Sequence, residues 1–139
     1  MNGKSKIISL LFFLLLSVAS CEKENTGLNL QANNWKVEKI RKKYQSNYAY
    51  PDSTYMIRFT SDSQFEFTLD TNRCTGRYEI SDKGRFILHG MHCTRICCDS
   101  KFATDFKLLF TRMTEFYGIK GKLHFEGESA GEIVLEPVE

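Results

Sequence analysis

The sequence predicts an α+β fold: a strongly curved antiparallel sheet, or partly open β-barrel, of about eight strands with one helix packed on it. Three observations predict this. Apolar and polar residues alternate in short segments up to about Leu88. One stretch, Phe102 to Met113, instead carries apolar residues at helical spacing. Alternation then returns and lasts to the end of the chain. The order is five strands, one helix, three strands. A single helix cannot cover both faces of a flat sheet that size, so curling the sheet around it buries the apolar faces best.

The domain is expected over residues 34–139. Trp35, the only tryptophan, and Val37 alternate with Lys36 and Glu38 as a first strand. Residues 42–54, rich in Tyr, Ser, Asn and Asp and containing Pro51, read as a loop. Tyr55, Ile57 and Phe59 form the next strand, and Ser61-Asp62-Ser63 a turn. Phe65, Phe67 and Leu69 give the cleanest period-two signal, followed by a bend at Arg73-Cys74-Thr75-Gly76. Tyr78 and Ile80, the turn Asp82-Lys83-Gly84, and Phe86 and Leu88 make a hairpin. Phe102, Phe106, Leu109, Phe110 and Met113 then mark one face of a helix, with Asp99 or Ser100 as its cap. Segments 116–120, 123–125 and 132–136 close the sheet, separated by turns at Gly121 and around Gly127–Gly131.

The first twenty residues carry a different message. Lys4 and Lys6 precede an apolar run from Ile7 to Ala19, broken only by Ser9 and Ser17. That run is short for a bilayer span and suits the core of a secretory signal. It ends in Val18-Ala19-Ser20-Cys21, which resembles the lipobox of bacterial lipoproteins. Residues 1–20 are therefore expected to be a signal peptide. Cys21 is expected to carry lipid, and residues 21–33 to form a polar tether in which Leu28 and Leu30 are the first to dock. Two or three acyl chains, each methylene contributing about 0.8 kcal/mol, hold far better than one. Glu22 stands where an inner-membrane retention signal would place aspartate, so the expected address is the outer membrane, periplasmic or surface-exposed. The stretch Glu22-Lys23-Glu24 also resembles surface-export signals of Bacteroidota lipoproteins.

Processing changes the charge. The precursor is formally +2, and the signal holds two lysines and no acidic residue, so the mature chain is formally neutral. Neutrality and export together argue against a nucleic-acid partner. Of five cysteines, lipid takes Cys21, leaving Cys74, Cys93, Cys97 and Cys98. Four thiols in an oxidising compartment read as two disulfides, with three pairings open. Adjacent cysteines rarely bond each other, so Cys97 and Cys98 are each expected to reach toward Cys74 or Cys93. A bridge to Cys74 closes a loop of about 20 residues or more and contributes roughly 3 kcal/mol.

Several segments now add up to a family. Trp35 lies near the start of the domain. Asn72-Arg73-Cys74-Thr75-Gly76-Arg77-Tyr78 resembles the Asn/Gly-Cys-Asn-x-Gly-x-Tyr segment of META (HslJ-like) domains. Cys93-Thr94-Arg95-Ile96-Cys97-Cys98 is similar to that family's Thr-x-Met-Ala-Cys segment, and Phe116 to Leu123 to its closing tyrosine–isoleucine–turn–leucine pattern. The resemblance spans about residues 28–136. Arg73 and Thr75 depart from the family's glycine and asparagine, and Cys93 and the doubled Cys97-Cys98 exceed its common cysteine count. The resemblance implies a small barrel-like exported domain, often a lipoprotein, linked to envelope stress and surface roles, with no enzymatic activity attached and no cofactor.

Other chemistry is thin. His89, His92, Cys93, Cys97 and Cys98 are the one cluster with ligand character, but their spacing matches no established metal motif, and disulfides compete for the thiols. A redox role would place Cys97-Cys98 at a helix start, though without a Cys-x-x-Cys motif. Ser61, Ser63 and Ser81 lie in turns, no Gly-x-Ser-x-Gly elbow or phosphate-binding glycine loop occurs, and the carboxylates are scattered. His124 reads as a surface or satisfied histidine, and Tyr44, Tyr48, Tyr50 and Tyr55 as a loop cluster with some capacity for binding. The expectation is a non-enzymatic monomer held to a membrane by its N-terminal lipid. The competing reading is a thiol redox or metal-binding protein using Cys93, Cys97 and Cys98.

Overall fold

A computed structural model describes residues 28–61 and 63–138. The signal segment, Cys21 and most of the tether lie outside the described residues, as does Asp62 of the turn at 61–63. Eight strands form one antiparallel sheet: β1 (Asn34–Lys42), β2 (Met56–Phe59), β3 (Gln64–Thr68), β4 (Arg73–Ile80), β5 (Phe86–Cys93), β6 (Glu115–Ile119), β7 (Lys122–Gly127) and β8 (Gly131–Val138). The single α-helix, α1 (Lys101–Phe110), falls between β5 and β6. The spatial order β5-β4-β3-β2-β1-β8-β7-β6 curls into a half-barrel around the helix, the architecture that the alternation predicts.

The core explains the curl. Phe59, Phe65, Phe67, Phe86, Phe106, Phe110 and Phe125 are all buried, and the core phenylalanine rings meet at centroid distances of 5.0–6.4 Å. Phe110 alone touches Phe65, Phe67, Phe86, Phe106 and Phe125, so one helical ring ties β3, β5 and β7 together. Each such side chain contributes about 1.5–3 kcal/mol by leaving water. The helix opens at Ser100, whose hydroxyl accepts from the Ala103 amide, and ends at the Thr111 cap. Met113 therefore lies past the helix, yet is buried with the rest of its stripe.

Other departures from the sequence reading have local causes. Arg73–Gly76, expected as a bend, begins β4. Cys74 and Tyr78 point into the core, and a Cβ on Gly76 would lie 2.3 Å from the Gly90 carbonyl oxygen and 2.5 Å from the Phe65 ring. The glycine is there because an aromatic ring takes the space of a side chain. In β1 an irregularity between Val37 and Lys39 shifts the phase, so that Val37 and Ile40 both face inward. The chain is docked before β1: Leu30 is buried in a short 3₁₀ turn, and the Trp35 indole nitrogen donates to its carbonyl at 2.8 Å. The two-residue connection Lys120-Gly121 has positive φ at both positions, as a tight mirror-image hairpin turn requires. At the open side of the half-barrel, the Phe86 amide donates to the Thr114 carbonyl at 2.9 Å, linking β5 to the lead-in of β6.

Candidate functional site

The predicted site residues fall in two places. Cys74 and Cys93 are direct cross-strand partners on β4 and β5, Cα atoms 4.1 Å apart and bonded through sulfur. Cys97 and Cys98 are bonded to each other. The expectation that each reaches Cys74 or Cys93 is thus corrected. Strand register commits Cys74 to Cys93 before the next loop begins, which leaves the two exposed neighbours only each other. The loop that carries them, residues 94–100, is tied down by side chains. Asn72, buried at the β3–β4 turn, donates to the Ile96 carbonyl and to Asp99, each at 2.7 Å. Its carbonyl oxygen accepts from the Ile96 amide and the Thr94 hydroxyl. Burial pushes the Asp99 carboxyl up, but hydrogen bonds from Asn72 and Thr71 more than offset it, and it ends below the usual carboxylate range. Asp70 is likewise held low by the Tyr55 hydroxyl at 2.5 Å and the Ser100 amide at 2.8 Å.

The histidines of this region do not join the thiols. His89 pairs with Glu79 at 2.8 Å, and His92 is exposed on β5 opposite Thr75. Among the described residues no three His, Cys, Asp or Glu side chains gather where they could hold a metal ion. Ser81 caps its own hairpin turn, accepting from the Arg85 amide.

A second site sits on the outer face of β6, β7, β8 and β1. Register aligns Glu115, Glu126, Glu132 and Arg41 in one row across the four strands, and Tyr117, His124, Val134 and Lys39 in the next. Glu132 is the one charged residue buried among the described residues. His124 Nδ1 lies 2.8 Å from one of its oxygens, while the other accepts from the Tyr48 hydroxyl at 2.5 Å and from Arg41 at 3.1 Å. The His124 hydrogen bond is the largest influence lowering the Glu132 carboxyl, to about 2. Burial, and then the bond to Glu132, push the Tyr48 phenol up to about 12. Lys39 and Arg41 lie 4.6 and 4.8 Å from the Tyr48 ring centroid. Tyr117 stacks on His124 at 5.3 Å and donates to Glu126. Burial, followed by that bond, raises its phenol far above the ordinary value.

The tyrosine cluster expected in the 42–54 loop therefore divides. Tyr55 is core, Tyr48 pins the loop to Glu132, and Tyr44 and Tyr50 remain exposed. The loop is stitched to β1 by paired backbone hydrogen bonds between Ile40 and Ala49. Beside it opens a cleft of about 500 Å³ lined by Arg41, Lys43, Arg85, Glu115, Glu126 and Glu128. It mixes charges of both signs and suits polar contact with a partner. Sequence reasoning missed Glu132. The available signal was the unbroken apolar run Ile133-Val134-Leu135 beside it, which marks a strand covered on both faces.

Comparison with known proteins gives a family and a fold. The META domain model matches residues 28–137. No curated protein matches. A protein from Burkholderia xenovorans, solved by NMR, is similar with a TM-score of 0.63 at 11% identity, over 78% of this chain and 83% of that one. A DUF4847 family protein from Bacteroides vulgatus, solved by crystallography, is similar with a TM-score of 0.57 at 13% identity, over 76% of this chain and 92% of that one.

Proposed function

This chain belongs to the META domain family, and from that premise we propose a non-enzymatic envelope lipoprotein whose domain acts by binding or bracing at the cell surface layers. The observation that carries the non-enzymatic reading is the structural engagement of Glu132. This buried carboxylate, held near 2, is engaged by His124 of β7, Arg41 of β1 and Tyr48 of the 42–54 loop, and so ties the loop and two strands together. A general base needs a carboxyl poised near the working pH and open to a substrate proton, and Glu132 is neither. Binding then falls to the outer surface, because phenylalanine rings fill the inside of the half-barrel. The mixed-charge cleft next to the pinned loop is the preferred contact area.

The lipobox-like Val18-Ala19-Ser20-Cys21 supplies the address, with lipid on Cys21 and Glu22 favouring the outer membrane. Glu22-Lys23-Glu24 favours a Bacteroidota type of surface export. The test is intact mass of protein purified from membranes, beside a Cys21→Ala control. The expected species begins at Cys21, carries acyl mass and fractionates with membranes, whereas the control loses the acyl mass and leaves the membrane fraction. A wild-type protein without acyl mass overturns the lipoprotein reading.

A further inference from the structure

The two cysteine pairs differ in every property that decides whether a disulfide is a staple or a reactive group. Cys74 is fully buried and Cys93 is half-buried against the core, so this bridge is far less open to an attacking thiolate than a pair of exposed cysteines. Cys97 and Cys98 are both exposed, beside an Ile96 that is itself 59% exposed. The Cys74–Cys93 bridge spans 19 residues and so restricts the unfolded chain; the Cys97–Cys98 bridge spans one and restricts almost nothing. Side-chain contacts hold its loop as well. Asn72 bonds both the amide and the carbonyl of Ile96, Asp99 bonds the Thr71 amide, and Asp70 bonds the Ser100 amide. Those contacts fasten Ile96, Asp99 and Ser100 to the Asp70–Asn72 segment without using either sulfur.

We propose that Cys97–Cys98 is an exchangeable surface disulfide, a site that takes two electrons from an external dithiol while Cys74–Cys93 stays closed. The proposal deepens the envelope reading by naming a regulated group on the domain, and it rests on that reading because an oxidising compartment is what closes the pair. The chemistry balances within thiols and disulfides. A thiolate of the dithiol attacks one sulfur of the pair and breaks the bond; the other leaves as thiolate and takes a proton. The second thiol of the reductant then closes on the mixed disulfide, freeing the remaining thiol. One disulfide and one dithiol become one dithiol and one disulfide, and two electrons and two protons pass to Cys97 and Cys98. Exposed disulfides are the labile ones, buried structural ones the resistant ones.

The sequence makes the experiment clean. Cleavage after Arg95 and Lys101 releases Ile96–Lys101 carrying this pair alone, and cleavage after Arg73 and Arg77 isolates Cys74. Mature protein from membranes is equilibrated with graded dithiothreitol, alkylated, digested and weighed. The expected result is double labelling of the 96–101 peptide at about tenfold less reductant than labels Cys74 or Cys93. In parallel, a Cys97→Ser, Cys98→Ser double variant is expected to keep its melting midpoint within about 2 °C of wild type, as a bridge that constrains nothing should. Simultaneous labelling of all four thiols, earlier labelling of Cys74 and Cys93, or recovery of Cys97 or Cys98 bridged to Cys74 or Cys93 overturns the proposal. Absence of acyl mass on Cys21 in the same sample would count against the lipoprotein reading and leave the exchange result standing.

Discussion

The two halves of the sheet are held in opposite ways. β2 to β5 leave their outer face open to water, with Arg58, Thr68, Thr75 and Arg77 exposed, and Cys74–Cys93 ties β4 covalently to β5. β1, β8, β7 and β6 carry the tyrosine loop on their outer face and are fastened by a buried ionised network around Glu132. Both halves share one aromatic interior. Where nothing covers the sheet, the covalent tie lies on its inner face, between β4 and β5. Where a loop covers it, hydrogen bonds to a charge become strong enough to serve, because the low local dielectric strengthens them. The first half should accordingly lose stability when Cys74–Cys93 is removed, and the second when it is acidified.

The largest effect comes from breaking what both halves share. Phe110→Ala is expected to cost about 3–5 kcal/mol, seen in chemical denaturation, since the cavity opens against rings from both sides. Next comes the covalent half. Cys74→Ser is expected to cost about 3 kcal/mol through loss of a 19-residue loop constraint, with the acid dependence of unfolding unchanged. The ionic half follows. The Glu132 carboxyl sits near 2 in the folded protein against an ordinary 4.5, so its stabilisation is complete above pH 4.5 and is lost as pH falls from 4.5 through 2. Glu132→Gln is expected to cost about 2–3 kcal/mol at neutral pH and to flatten the stability profile in that window; an unchanged profile would remove the network from the account. The smallest effect is Tyr48→Phe, about 1 kcal/mol, with faster proteolysis within residues 42–54 and no change in the reducibility of Cys74–Cys93.

Much of this division was legible in residues, and the remainder was hidden for identifiable reasons. Strand positions followed from alternation because each strand needs an apolar inner face, and the helix from the spacing of Phe102, Phe106, Leu109 and Phe110. The cysteine pairing was encoded but required counting through a bulge. Cys74 lies six residues before Ile80 and Cys93 seven after its partner Phe86, and the odd residue is absorbed where His89 and Gly90 of β5 face Arg77 alone. Ruling out an adjacent bridge by local geometry led the other way, because it weighed one peptide and ignored the register of two strands. Glu132 was hidden because a glutamate opening a strand looks like a solvent-facing residue. Its burial depends on Tyr48, 84 positions earlier, and loop placement is not a periodic property.

The bulge at Gly90 carries a consequence beyond the hairpin it interrupts. β5 is a terminal strand of the sheet, and such a border presents unsatisfied backbone groups that invite another chain to continue the ladder. Gly90, at φ +128, breaks the rhythm of that border midway between Phe86 and Cys93. An incoming strand that matches the donors and acceptors on one side of the glycine falls out of step on the other. The residue that lets Cys93 meet Cys74 thus also makes this border a poor template for an added strand.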